Sequence, residues 1–476
     1  MRKQTKIVAT ISDRNCGTDF IRELIGRGVD VFRLNTAHQG PEDSLKVINN
    51  IREVSELTGI LIDTKGPEIR TTGIDDDLPV TTGDMVIFKS GDCDEADKKA
   101  VKAQIGVSYE NIAKDVPEGS VILIDDGDIS FRVIEKKSGC LYAVAENDGT
   151  VKNRKSVNIP GVHLNLPALT EKDKEYIRFA AENHVDFIAH SFVRSADDIE
   201  EINHILDGYN LRIPVIAKIE NREGVDNAKD IIKACYGIMV ARGDLGIEIP
   251  AEEVPAIQKR LIRLCVKRAK PVITATQMLQ SMIESPRPTR AEVSDVANAV
   301  LDGSAALMLS GETAYGKYPL ESVETMVRVA RAAEESRKGI WKHGLVEKSG
   351  AVRRFLVESA IDASEKLPIK AIIVHTYSGL TARLLSTFRG RIPIYVRCHE
   401  MRVARELSLS YGLYPELIEL PESTDQLVSD AVITLLEDGL VQRKDLVVVL
   451  AGSPPLKTNE SNMIEINSVS EFISDN

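Results

Sequence analysis

Paired cysteines are missing from this sequence. Cys16, Cys93, Cys140, Cys235, Cys265 and Cys398 are scattered with no Cys-x-x-Cys, a pattern that predicts reduced thiols and a cytoplasmic protein. Long apolar runs are missing too. None approaches the roughly 18–20 residues of a membrane span. Positive charge is in deficit, with 60 Lys and Arg against 72 Asp and Glu and a net charge of −12. That balance argues against nucleic acid or a membrane surface as partner. The first residues, Met1-Arg-Lys-Gln-Thr-Lys, run straight into a short strand, so no signal peptide is expected. Repeats and low-complexity tracts are absent. No Gly-x-Gly-x-x-Gly follows a strand, which excludes a Rossmann dinucleotide site.

What is present is a chain of 476 residues, long enough for two or three domains, with 43% hydrophobic residues to fill their cores. Short β-branched runs recur at Lys6–Ile11, Val29–Asn35, Ile60–Lys65, Val185–Phe192, Ile213–Glu220, Gly237–Asp244, Pro271–Gln277 and Ala305–Glu312. Stretches of helical periodicity separate most of them. Eight such units predict a (β/α)8 barrel rather than a doubly wound sheet. After the third run, residues 69–165 carry short strand-like runs and turn signals such as Asp126-Gly127. They predict an all-β domain inserted into a barrel loop. After Gly339-Ile-Trp-Lys-His-Gly344 a new alternation begins: helix 352–365, strands 369–375, 392–396 and 446–451, and helices 381–387 and 401–410. The expected division is therefore 1–68 with 166–340 as barrel, 69–165 as insert, and 341–476 as a C-terminal α/β domain.

The chemistry gathers at strand ends, which share one face in a barrel. Arg33 and Asn35 end the second run. Asp63, Thr64, Lys65 and Glu68 follow the third, with Arg70 beyond. Ser191 and Arg194 end the fourth, Lys218 and Glu220 the fifth, Arg242 and Asp244 the sixth, Thr274, Thr276 and Gln277 the seventh, and Ser310 and Glu312 the eighth. Glu220 and Asp244 close neighbouring runs, so they can hold one divalent cation, with Lys218 two residues before the first. That set suits phosphate or an enolate oxygen. Gly243-Asp244-Leu245-Gly246 holds an anion if it opens a helix, and is otherwise an ordinary turn. Gly311–Lys317 fits the spacing of a phosphate loop. Tyr318 stands where that motif needs a small hydroxyl, and the segment follows the last barrel strand, so the match is discounted. Thr376-Tyr-Ser-Gly-Leu-Thr381 follows a strand and reads equally as a phosphate cradle or an N-cap turn.

Several stretches together resemble the pyruvate kinase family over almost the whole chain. They include Ile62-Asp-Thr-Lys-Gly-Pro-Glu-Ile-Arg70, Asn158-Ile-Pro-Gly161, Ser191-Phe-Val-Arg194 and Ala217-Lys-Ile-Glu-Asn221. Val240-Ala-Arg-Gly-Asp-Leu-Gly-Ile-Glu248 and the long segment from Ala275 through Asp302 to Ala314 complete them. The resemblance implies transfer of the phosphoryl group of phosphoenolpyruvate to ADP, giving pyruvate and ATP. It implies Mg²⁺ or Mn²⁺ on Glu220 and Asp244. Lys218 and Arg33 would sit against the phosphoryl oxygens, the Gly243 and Asp244 amides against the substrate carboxylate, and Thr276 on the path of a proton. Arg70, Lys155, Asn35 and His38 would contact the nucleotide, with Asp126 of the insert approaching the same cleft. Asn35, Asp63 and the Thr64 carbonyl would line a K⁺ site, and Glu68 is the residue type of K⁺-dependent members. Thr376, Ser378, Gly379 and Thr381 match a cradle for a phosphorylated effector, and a homotetramer is implied.

The chain departs from the family pattern at three places. Ala37 removes a hydroxyl expected on K⁺, Ser12-Asp13 replaces a Gly-Pro beside the nucleotide, and Ser156 replaces a glycine of the insert. Two rivals are another phosphoenolpyruvate- or pyruvate-handling barrel enzyme, such as an aldolase or lyase, and a catalytically silent metabolite sensor. The first would not need Arg70 and Lys155. The second would not need Lys218, Glu220, Asp244 and Thr276.

Overall fold

The computed structural model describes residues 2–37, 39–91, 101–137, 139–337, 339, 341, 350–419, 423–452 and 461–473. Eight parallel strands close a barrel: β1 (Lys6–Thr10), β2 (Val31–Asn35), β3 (Gly59–Asp63), β4 (Phe187–His190), β5 (Val215–Ile219), β6 (Gly237–Ala241), β7 (Val272–Ala275) and β8 (Ala306–Leu309). Seven lie inside the runs expected to be strands, and β3 begins one residue before its run, at Gly59. Their residues are mostly apolar because one face fills the barrel and the other packs under helices, with polar residues concentrated at the strand ends. Val8, Val31, Leu61, Phe187, Ile216, Met239, Ile273 and Met308 fill the interior. The outer cluster gathers the opposite strand faces with the helices, for example Ile7, Phe32, Ile62, Ala217 and Val240 with Ile177, Ile202 and Leu261.

Between Thr71 and Asn158 the chain builds a seven-stranded sheet. Its order is 157–158, 121–124, 129–137, 140–145, 85–89, 103–107 and 71–72, with a two-stranded ribbon of 149–151 and 78–80. The sheet has its own core around Phe88, Phe131, Leu141 and Ile122. Cys140 in this sheet is disulfide-bonded. The expectation of reduced thiols therefore fails there, while Cys16, Cys235, Cys265 and Cys398 are free and buried.

The last sheet contains β9 (Ile369–Thr376), β10 (Ile394–Cys398), β11 (Leu413–Leu417), β12 (Leu446–Ala451) and β13 (Met463–Ser468), in the order β11-β10-β9-β12-β13. Strands β11 and β13 and the helix Thr424–Glu437 were not expected from sequence. The helix expected over 401–410 is α-helical only over Met401–Glu406 and tightens to a 3₁₀ turn at Leu407–Leu409. Leu409 from that turn joins the barrel's interior cluster and plugs its N-terminal end. Tyr236 Oη donates to the Glu406 carbonyl at 2.9 Å, and Lys6 Nζ to that of Leu413 at 2.6 Å. The C-terminal layer is thus fastened to the barrel end opposite the strand-end residues.

Candidate active site at the C-terminal end of the barrel

Lys218 is the next-to-last residue of β5 and lies in the centre of the strand-end face. Its Nζ is 3.1 Å from Asp63 Oδ1 and 2.9 Å from Glu220 Oε1, and it donates to Ser191 Oγ at 2.7 Å. Arg33, from β2, donates its Nε to Asp63 Oδ2 at 2.6 Å and an Nη to Thr10 Oγ1 at 3.0 Å. Asp63 at the end of β3 therefore orients both cations. Burial alone would push its carboxyl up, but Lys218 and Arg33 outweigh that and hold it below the usual range. Burial also works against charge on Lys218. Asp63, Glu220 and Asp244 overcome it and raise the ammonium above its ordinary value.

Glu220 moves the other way. Burial raises its carboxyl, and Asp244 adds to the rise against the pull of Lys218. The two partners of this pair thus point in opposite directions. The lysine's charge is the firmer, because three carboxylates surround it. Burial and, after it, repulsion from Asp244 disfavour charge on Glu220, and a divalent cation between the two carboxylates would relieve both. Asp244 forms no ion pair among the described residues, so its oxygens are free for such a cation. No group of three or more metal-ligating side chains occurs among the described residues. A cation here would complete its shell with substrate oxygens and water.

The backbone is shaped around these groups. Phe192 has φ of +56° and donates its N–H to Glu220 Oε2 at 2.6 Å. Thr276 follows β7 with φ of +65°, a conformation costly for a β-branched side chain. Its Oγ1 accepts from the Gly243 amide at 2.8 Å and donates to the Ala275 carbonyl at 2.7 Å. Arg242 holds this turn in place, with Nη2 on the Thr276 carbonyl at 2.8 Å and Nη1 2.7 Å from Asp295. Residues Arg242–Glu248 do form a helix directly after β6, as the anion-holding reading of that turn requires.

The other predicted positions are more dispersed. Asn35 accepts from the Ala37 amide at 3.1 Å. The Thr64 carbonyl takes Ser191 Oγ at 2.6 Å. Both oxygens of Asp63 are engaged as described. Arg70 pairs with Glu68 at 2.6 Å, and Lys155 with Asp125 at 2.7 Å. Ser156 Oγ donates to Asp126 Oδ1 at 3.0 Å, so this departure from the family ties two loops of the insert together. Ser12 Oγ reaches the Ala314 carbonyl at 2.8 Å. His38 lies outside the described residues. Glu312 is not a site group: its buried carboxylate accepts from the Ser310 and Leu279 amides. The discounted phosphate loop is a short helix, Gly311–Ala314, with Lys317 paired to Glu284.

Sequence reasoning missed Thr10 and Asp125 and marked Ser191 only as a strand-end residue; they position Arg33, Lys155 and Lys218 respectively. Their contacts cross strands, and no spacing in the chain reveals them. Between the insert and the barrel lies a cavity of about 450 Å³, with Asp126, Arg194, Asp244 and Glu248 among its lining residues. In the C-terminal sheet, Thr376 Oγ1 accepts from the Gly379 amide at 2.9 Å and Thr381 meets Ser461 at 2.8 Å. Gly379 has φ of +73°, which favours glycine at this turn. Most of the segment 452–458 lies outside the described residues.

The family model described as pyruvate kinase, barrel domain, matches residues 2–323, and that described as pyruvate kinase, alpha/beta domain, matches 355–467. A pyruvate kinase of Borreliella burgdorferi is 47% identical over 99% of this chain and 98% of its own. Those of Geobacillus stearothermophilus and Staphylococcus aureus (strain MRSA252) are 42% and 43% identical over 99% of this chain and 81% of theirs. With both domains matched and full-length relatives at this identity, the chain belongs to the pyruvate kinase family.

Proposed function

We propose that this chain transfers the phosphoryl group of phosphoenolpyruvate to ADP, giving pyruvate and ATP, the last step of glycolysis. The observation that carries the proposal is Lys218, a mostly buried charged lysine held between Asp63 and Glu220, with Asp244 in the helix that follows the adjacent strand. Phosphoryl transfer needs aligned groups and cancelled charge more than covalent help. Lys218 and Arg33, already fixed by Asp63, would meet the phosphoryl oxygens without reorganising. Glu220 and Asp244 would hold Mg²⁺ or Mn²⁺, which when bound supplies positive charge to the phosphoryl and enolate oxygens. The amides of Gly243 and Asp244 would receive the substrate carboxylate. The Gly243 amide is taken by Thr276 Oγ1, so substrate binding there would release that hydroxyl to help carry a proton, through water, to the enolpyruvate carbon.

Arg70 and Lys155 would clamp the nucleotide phosphates, with Asn35 and His38 alongside. Both cations are paired to carboxylates that such phosphates would replace. Closure of the insert would complete the site. Asn35, Asp63 and the Thr64 carbonyl would line K⁺, with affinity reduced by Ala37. Thr376, Ser378, Gly379 and Thr381 would hold the phosphate of an effector in a homotetramer divided as 1–68 with 166–340, 69–165 and 341–476.

A coupled assay of phosphoenolpyruvate and ADP with Mg²⁺, with and without K⁺, tests the reading. ATP and pyruvate should form together, and K⁺ should be required at a raised concentration. Pyruvate without ATP would favour a lyase. Full activity in K⁺-free buffer would contradict the monovalent site alone.

A further inference from the structure

A second cavity, of about 410 Å³, lies at the other end of the barrel, where the C-terminal domain meets it. Its charged lining is Arg212, Arg268, Lys270, Arg383, Arg402 and a single carboxylate, Glu406. This five-to-one excess of cations stands in a chain whose net charge is −12. Glu406 is already committed to Arg402. Arg212 reaches only Asp207, at 4.0 Å, with both side chains largely exposed. Arg268, Lys270 and Arg383 form no ion pair among the described residues. Lys270 is held by the carbonyls of Lys233 and Cys235, and burial lowers its ammonium pKa. Arg383 lies over the Tyr236 ring at 5.5 Å, and its Nη1 is buried without a hydrogen-bond partner.

Gathering unpaired cations in a half-buried space is unfavourable unless an anion joins them. The volume suits a small molecule, and the overall acidity disfavours a polyanionic macromolecule. Planar guanidinium groups beside a lysine match the oxygens of a phosphate. We propose that this cavity binds a phosphorylated small molecule, its phosphate held between Arg268 and Lys270 of the barrel and Arg383 of the C-terminal domain. The site adjoins the Thr376–Thr381 cradle through Leu380, but the cradle's hydroxyls are not part of its lining.

Its position gives binding a consequence. Val215, Tyr236 and Lys270 line the cavity and stand at or just before the starts of β5, β6 and β7, the strands that lead to Lys218, Asp244 and Thr276. Arg383 lies on the helix Leu380–Ser386, which begins beside the cradle. A ligand joining Arg268 and Lys270 to Arg383 would fasten the C-terminal domain to the catalytic strands. Occupancy would then shift the phosphoenolpyruvate saturation curve.

The test is calorimetric titration of the full chain with glycerol 3-phosphate, and with citrate as a non-phosphate anion. The proteins compared are the unsubstituted chain, Arg268→Gln, Arg383→Gln and the cradle pair Thr376→Ala with Ser378→Ala. Arg268 caps a helix end and is only half-buried, so its variant should fold even if Arg383→Gln does not. Glycerol 3-phosphate should bind the unsubstituted chain and the cradle pair equally, and each arginine variant at least tenfold more weakly. Unchanged affinity in Arg268→Gln, loss of binding in the cradle pair alone, or no binding to the unsubstituted chain would overturn the site. Citrate binding as tightly as glycerol 3-phosphate would overturn its assignment to phosphate.

Discussion

At the C-terminal end of the barrel, Arg33 and Lys218 pack against Asp63 and Glu220, so both cations have a carboxylate partner. At the N-terminal end, Arg268, Lys270 and Arg383 face a cavity whose single carboxylate, Glu406, is paired with Arg402, and they form no ion pair among the described residues. The difference follows from what each end must do. Groups that stabilise a transition state act best when already fixed, since no reorganisation is left for the reacting moment. Groups that capture a ligand act best when they lack a partner, because the ligand then supplies it.

Removing a fixed partner should have the largest effect. Asp63→Asn leaves Arg33 and Lys218 buried with less compensating charge, and breaking such a pair typically costs about 3–5 kcal/mol. Urea unfolding should show a loss of that order, and an unchanged midpoint would mean that Asp63 does not organise the site. Acid should cost a comparable amount, through one histidine of the barrel and one of the C-terminal sheet. Burial lowers His190, the last residue of β4, to about 4, and His375, in β9, to about 3. Neither ring nitrogen of either residue has a hydrogen-bond partner. Both are neutral when folded and gain a proton on unfolding once pH falls below about 6.5. The stability they contribute is therefore complete above that pH and is lost towards pH 4, at about 1.4 kcal/mol per pH unit for each histidine. Denaturation at pH 7 and 5 measures the slope, and His375→Gln should reduce it.

The smallest effect is expected at the seam. Without ligand, Arg268→Gln removes a cation that has no ion pair, so stability should change by no more than about 0.5 kcal/mol. A large loss on urea unfolding would show that Arg268 has a structural partner and would erase the contrast between the two ends.

The barrel was legible because eight β-branched runs recur, most of them leading into polar residues, and the strands fall within them apart from Gly59 at the start of β3. Strand β11 was not, since Leu-Tyr-Pro-Glu-Leu carries a proline inside a short edge strand. Strand β13 is half-exposed and pairs antiparallel at the opposite edge, so it lacks a buried apolar run. In the site, Lys218, Glu220, Asp244 and Thr276 could be picked out by position alone. Their pairing could not. Asp63 was read as a K⁺ ligand, yet its oxygens hold Arg33 and Lys218, a contact made only when β2, β3 and β5 come together. Positive φ at Phe192 and Thr276 is likewise set by tertiary packing rather than by residue type.

The central claim is that Lys218 is a fixed cation for the transferring phosphoryl group, and Lys218→Ala tests it most directly. Turnover of phosphoenolpyruvate and ADP should be measured beside Mn²⁺ binding in the same variant. Losing one preorganised group typically costs about 3–4 kcal/mol, so turnover should fall at least about a hundredfold while Glu220 and Asp244 still bind the metal. Near-normal turnover in Lys218→Ala would contradict the account.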